Sequence, residues 1–161
     1  MSDRPNSIDQ APHFDADEPP LHRAARLGDH AAIRALIEGG SDVHDTDEHG
    51  HTPLMIAAAA MQPPEFLELL VRSGVDPHAT SYFGLNALHI AVQDSNVAFT
   101  ALKQRLRACT GCLKSLGVNI EHRSDAGETP LALAVNCGIP EAVEALCDLG
   151  ANPNVSCPIP K

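Results

Sequence analysis

Two short stretches of this chain carry side chains able to do chemistry. The first is His44, Asp45, Asp47, His49 and His51, three imidazoles and two carboxylates within eight residues. Imidazole nitrogen and carboxylate oxygen together suit a divalent ion such as zinc or nickel. Against a metal centre stand the wet, turn-like setting of the cluster and the lack of a neighbouring cysteine. His44 and His78 also recur at the same place in an internal repeat, which favours a structural role. The second stretch is Cys109-Thr110-Gly111-Cys112, a C-x-x-C pair. A redox pair normally follows a strand and opens a helix. This one interrupts nothing in an apolar stripe of helical spacing, and no second pair completes a four-thiolate zinc site. Cys109 is therefore expected in the core, with Cys112 its neighbour. No G-x-S-x-G, P-loop, H-E-x-x-H or G-x-G-x-x-G is present. Glu38-Gly39-Gly40-Ser41 reads as a helix stop rather than a phosphate cradle. The expectation is a non-enzymatic protein with no catalytic residues, no metal and no cofactor.

The elements that position these residues repeat. Four segments align: PPLHRAARLGDHAAIRALIEGGSDVH from Pro19, TPLMIAAAAMQPPEFLELLVRSGVDPH from Thr52, NALHIAVQDSNV from Asn86 (rejoining at LKSLGVNIEH), and TPLALAVNCGIPEAVEALCDLGANPN from Thr129. Their shared frame is T-P-L-x-x-A, about nine residues, a Leu-rich run, then Gly. Thr52 and Thr129 can cap the free amides that open a helix, with Pro53 and Pro130 at its first position. Asn86 keeps the capping ability without the proline. Gly28, Pro63-Pro64, Asp94-Ser95 and Gly138 mark the turn to a second helix, which Gly40, Gly74, Gly117 and Gly150 end.

This frame resembles the ankyrin repeat. The resemblance implies an all-α solenoid of helix-turn-helix units joined by β-hairpin-like loops, in which each unit folds only by stacking on the next. In the family's usual phase the repeat domain is 14–156, with units 14–46, 47–80, 81–123 and 124–156 of 33, 34, 43 and 33 residues. Residues 1–13 are expected to form a disordered tail and 157–161 a C-terminal extension. Pro19 and Asp17 in the first unit, and Glu141, Glu144 and Asp148 in the last, depart from the pattern as capping repeats should.

The third unit carries ten extra residues. Phe99, Leu102, Leu106, Cys109, Leu113 and Leu116 are spaced 3, 4, 3, 4 and 3 apart, one unbroken apolar stripe. The spacing predicts a single second helix from about Val97 to Leu116, lengthened by about 15 Å. A break at Thr110-Gly111 is the competing arrangement. Residues 86–124 also sum to +3 within a chain of net charge −10. Lys103, Arg105, Arg107 and Lys114 on this helix are either a solvated face or a dock for an acidic feature of a partner.

Composition bounds the rest. The chain has 161 residues and only five aromatics, Phe14, Phe66, Tyr82, Phe83 and Phe99. Its core must come from Leu, Val, Ile and closely packed Ala. The acidic balance argues against nucleic acid. No apolar run reaches the roughly 18 residues of a membrane helix, and the polar start lacks a signal peptide's basic and apolar regions. A cytoplasmic protein with reduced thiols is expected, and five cysteines fit a disulfide framework poorly.

The resemblance also implies a protein-binding role through the hairpin tips and the concave face of the first helices. Carried over unit by unit, the contact positions are Arg26 and Leu27; Glu48, His49, His51, Ala59 and Ala60; Tyr82, Phe83, Leu85, Gln93 and Asp94; and Asp125, Ala126, Glu128, Asn136 and Cys137. Two of the five aromatics, Tyr82 and Phe83, fall at one tip, and aromatic residues are the usual interface anchors. The alternative is that they fold back over the enlarged third unit. Net charge −10 fits a partner protein with a basic surface, as for an inhibitor or immunity-type antagonist of a basic enzyme or toxin. The other role considered is an adaptor or assembly factor presenting a client on the basic helix. The chain alone is expected to be monomeric.

Overall fold

Helices begin where the sequence supplies a cap. Thr52 Oγ1 accepts from the amide of Met55 at 3.4 Å and Thr129 Oγ1 from that of Ala132 at 3.2 Å. Asn86 Oδ1 accepts from the His89 amide at 3.2 Å. Pro20, Pro53, Pro64, Pro130 and Pro140 each occupy the first position of a helix, where a missing N–H costs nothing.

The computed structural model describes residues 18–93 and 100–154. Their helices are α1 (Pro20–Leu27), α2 (His30–Glu38), α3 (Pro53–Ala59), α4 (Pro64–Arg72), α5 (Ala87–Gln93), α6 (Thr100–Ser115), α7 (Pro130–Asn136) and α8 (Pro140–Asp148). Among the described residues there is no strand. The first helices α1, α3, α5 and α7 pack in one row, and α4, α6 and α8 in a second row against it. Ala24, Ala57, Ala91 and Ala134, one per first helix, are buried and let that row approach closely. Leu21, Leu54, Leu88 and Leu131 are buried with them, and Phe66 is the one large ring in the described core, edge-on to His30 at 4.8 Å. The result is an all-α stack of four helix pairs with one core running along the stack.

α6 runs sixteen residues against nine for α2, α4 and α8, and passes Thr110 and Gly111 without a break. Its stripe of Leu106, Cys109 and Leu113 is buried against α4, α5 and α8. A Cβ at Gly111 would meet only open space. The expected helix start near Val97, with Phe99 and the side chain of Leu102, lies outside the described residues, as do the 1–13 tail and the 157–161 extension. No helix among the described residues is long and apolar enough to cross a membrane.

Candidate interaction surface

Three turns, 47–51, 81–85 and 124–128, form the tips between helix pairs. Each closes by the same bond, from the amide of its first residue to the carbonyl of its fifth: Asp47 to His51 at 3.1 Å, Ser81 to Leu85 at 2.9 Å and Ser124 to Glu128 at 2.9 Å. The tips are also stitched to one another. The amide of Tyr82 donates to the His49 carbonyl, and that of Asp125 to the Phe83 carbonyl, each at 3.1 Å. This approach demands glycine. Gly50 has φ of 79°, and a Cβ there would lie 2.7 Å from Tyr82 Cδ1.

Histidines rivet the first helices to these tips. His22 Nε2 donates to the His51 carbonyl at 2.8 Å and His89 Nε2 to the Glu128 carbonyl at 2.9 Å. His122 Nε2 lies 3.0 Å from the Gly84 carbonyl. Both His22 and His89 are fully buried. Burial, with the nearby His122, pulls the His89 imidazole down to about 4 against the opposing pull of Glu128, so it is neutral at pH 7. These are structural groups.

The row so built exposes the anticipated anchors. Tyr82 is 68 % and Phe83 60 % exposed, so neither folds back over the third unit, and Leu27 at the end of α1 is 62 % exposed. Glu48, His49, Gln93, Asp125, Ala126, Asn136 and Cys137 are exposed as well. Leu85 is half-buried against the core, and Ala59, Ala60 and His51 are half-buried. Arg26 is half-buried and bridged to Glu18 at 3.0 Å. Glu128 Oε1 accepts from Asn136 Nδ2 at 2.6 Å. Asp94 lies outside the described residues.

The polar cluster at the first tip is only partly assembled. Asp47, His49 and His51 bring one ligand atom each to within 4.8 Å of one another, whereas exposed His44 and Asp45 are not part of the group. Burial would raise the Asp47 carboxyl. The amides of His51 and His49 and the His51 ring more than offset it, and the carboxyl sits below its ordinary range. The cysteine pair is core. Cys109 is fully buried, and burial pushes its thiol up to about 12, aided by Cys112 and opposed by Arg105. The Cys112 thiol is raised by burial and by Glu68. Neither is a ready thiolate nucleophile.

The basic residues of α6 are engaged within the chain rather than presented as a bare stripe. Lys103 Nζ lies 2.6 Å from Glu144, and Arg107 bridges Glu144 at 3.2 Å and Asp148 at 2.5 Å. The hydrogen bond and charge of Lys103, then Arg107, hold the Glu144 carboxyl below its usual range. Lys114 Nζ donates to the Leu149 carbonyl. Arg105 donates to the Met61 carbonyl from Nη2 at 3.0 Å and Nε at 3.3 Å. The cause is the neighbouring repeat. Glu144 and Asp148, one turn apart, face the lengthened helix and offer it carboxylates closer than any partner. Met61 is the one non-glycine residue with positive φ (49°) among those described. The aligned units hold Gly28 and Gly138 there, a mismatch that could have flagged this turn.

Paired helices in a repeating stack, with turn tips stitched into one continuous row, define a solenoid interaction scaffold. The family model described as ankyrin repeats, in three copies, matches residues 4–81 and 58–157. The chain is 31 % identical over 150 residues to the B-cell lymphoma 3 protein homolog of Mus musculus, spanning 90 % of this chain and 32 % of that protein. It is 32 % identical over 158 residues to the human B-cell lymphoma 3 protein, spanning 93 % of this chain and 33 % of that one. It is 36 % identical over 89 residues to Inversin of Mus musculus, spanning 55 % of this chain and 8 % of that protein. The chain thus spans about a third or less of these relatives. It belongs to the ankyrin-repeat family, whose repeats are generally protein–protein interaction modules.

Proposed function

We propose that this chain is a non-enzymatic, cytoplasmic protein-binding module, monomeric on its own, with its repeats at 14–46, 47–80, 81–123 and 124–156. It grips a partner protein through the turn tips and the concave face of the first helices. The observation that carries this is the exposure of Tyr82 and Phe83, at 68 % and 60 %, on a tip whose backbone is bonded on both sides. Large rings held in water on a rigid backbone are suited to anchor an interface at low entropic cost. Exposed Glu48 and Asp125 occupy the position of Tyr82 in the neighbouring tips, and the chain carries net charge −10. A partner with a basic surface fits this field, as for an inhibitor or immunity-type antagonist of a basic enzyme or toxin.

The internal engagement of Lys103, Arg105, Arg107 and Lys114 makes client presentation by α6 the weaker alternative. Affinity capture with wild-type protein and a Y82A/F83A variant, folded by circular dichroism, tests the proposal. The wild type should retain a protein that the variant loses, and salt should weaken capture. Equal retention by both, or loss only on replacing Lys103, Arg105 and Arg107, would transfer the role to α6.

A further inference from the structure

We propose that Asp47, His49 and His51 form a binding site for one divalent transition-metal ion of the zinc class. Two imidazoles and one carboxylate are the donor set such an ion prefers, with remaining positions left to water. Their ligand atoms lie within 4.8 Å of one another, and Asp47 Oδ2 is 3.0 Å from His51 Nδ1. Ligands bound tetrahedrally at about 2.1 Å stand roughly 3.4 Å apart, so this pair is nearly in place. The rings of His49 and His51 are stacked at 5.6 Å and 21°, and the half-exposed His49 carries its Nδ1 3.8 Å from Glu48 Oε1.

The surrounding backbone holds this tripod from both sides. Asp47 Oδ1 accepts from the amides of His49 at 2.9 Å and His51 at 2.8 Å, which leaves Oδ2 to face His51. The His51 carbonyl is held by His22 and the His49 carbonyl by the amide of Tyr82. Each histidine is therefore anchored by a different neighbouring repeat. An ion at this tip takes the place of the hydrogen shared by Asp47 and His51. The two amides on Asp47 Oδ1 are supporting contacts that fix the carboxylate's orientation, which raises affinity for a metal.

The experiment is zinc titration by calorimetry of the chelator-stripped full chain, carrying Cys137→Ser, Cys147→Ser and Cys157→Ser so that these thiols do not compete. One equivalent of zinc should bind. His49→Gln and His51→Gln should each weaken binding by about tenfold or more, while His44→Gln should change it by less than about twofold. Circular dichroism confirms the fold of each variant, and Asp47 is left intact because it shapes the turn. No stoichiometric uptake in zinc excess overturns the proposal. So does binding that survives both His49→Gln and His51→Gln, or that His44→Gln removes equally.

Discussion

Pro19 stands three residues before His22 and deprives it of a hydrogen bond that Asn86 supplies to His89. In the third helix pair the Asn86 amide donates to His89 Nδ1 at 3.3 Å. Proline has no amide hydrogen, and among the described residues His22 Nδ1 is buried with no partner. An unmet buried acceptor costs about 1–3 kcal/mol.

Pro19→Thr should therefore stabilise the protein. The new amide can reach His22 Nδ1, and the hydroxyl can cap α1 as Thr52 and Thr129 cap α3 and α7. A gain of about 1 kcal/mol is expected, read as a Tm rise of roughly 2–4 °C. An unchanged or lower Tm would show that the rigid Pro19-Pro20 entry matters more than the missing bond.

His89 sets an acid limit on stability. Its imidazole titrates near 6.5 when unfolded and about 4 when folded, because burial disfavours the charge. Between those values the unfolded chain binds the extra proton, so stability is full above pH 6.5 and falls as pH drops to 4. The window carries roughly 3 kcal/mol. Urea midpoints across it should fall with acid in the wild type. His89→Gln should be less stable at neutral pH but lose less on acidification.

Gly111 lies within α6, where an added methyl meets nothing. Gly111→Ala should stabilise by up to about 1 kcal/mol, since alanine loses less backbone freedom in a helix. Equilibrium unfolding in denaturant measures it, and a loss would point to a local conformation only glycine tolerates.

The thiols should divide sharply. Cys137 and Cys147 are exposed, whereas Cys109 and Cys112 are buried with raised thiol values. Alkylation with site mapping by mass spectrometry should modify Cys137 and Cys147 in native protein. Cys109 should react only once denaturant unfolds the stack.

Tyr82→Ala and Phe83→Ala should each change stability by no more than about 0.5 kcal/mol, because exposed side chains contribute little to folding. A larger loss on thermal melting would mean that the two rings serve the fold rather than a partner.

What could be read from residues alone was local. Thr52-Pro53 and Thr129-Pro130 announce helix starts because a cap and its amide lie three residues apart. The phase of Leu106, Cys109 and Leu113 survives Gly111, and α6 runs through it. Tyr82 and Phe83 were legible because a turn tip has no core to bury them. The pairing of Arg107 with Asp148, 41 positions away, depends on how neighbouring repeats stack, which no local pattern encodes. The same holds for the first tip. Spacing put five candidate ligands together, but Asp47 draws the amides of His49 and His51 onto its carboxylate and the ligand atoms of these three gather within 4.8 Å, while His44 and Asp45 stay outside.

The reach of α6 bears on how this molecule comes apart. A stack of repeats coupled only to nearest neighbours unravels from its ends, one unit at a time. Here one helix holds the Met61 turn through Arg105 and α8 through Lys103, Arg107 and Lys114. It ties its own helix pair to the pairs on both sides, so peeling away the terminal pair also breaks the contacts that Lys103, Arg107 and Lys114 make from the third. Cooperativity follows from that arrangement. Unfolding of the last pair should be coupled to the third, and a force pulling on α8 should be borne by α6 as well as by α7.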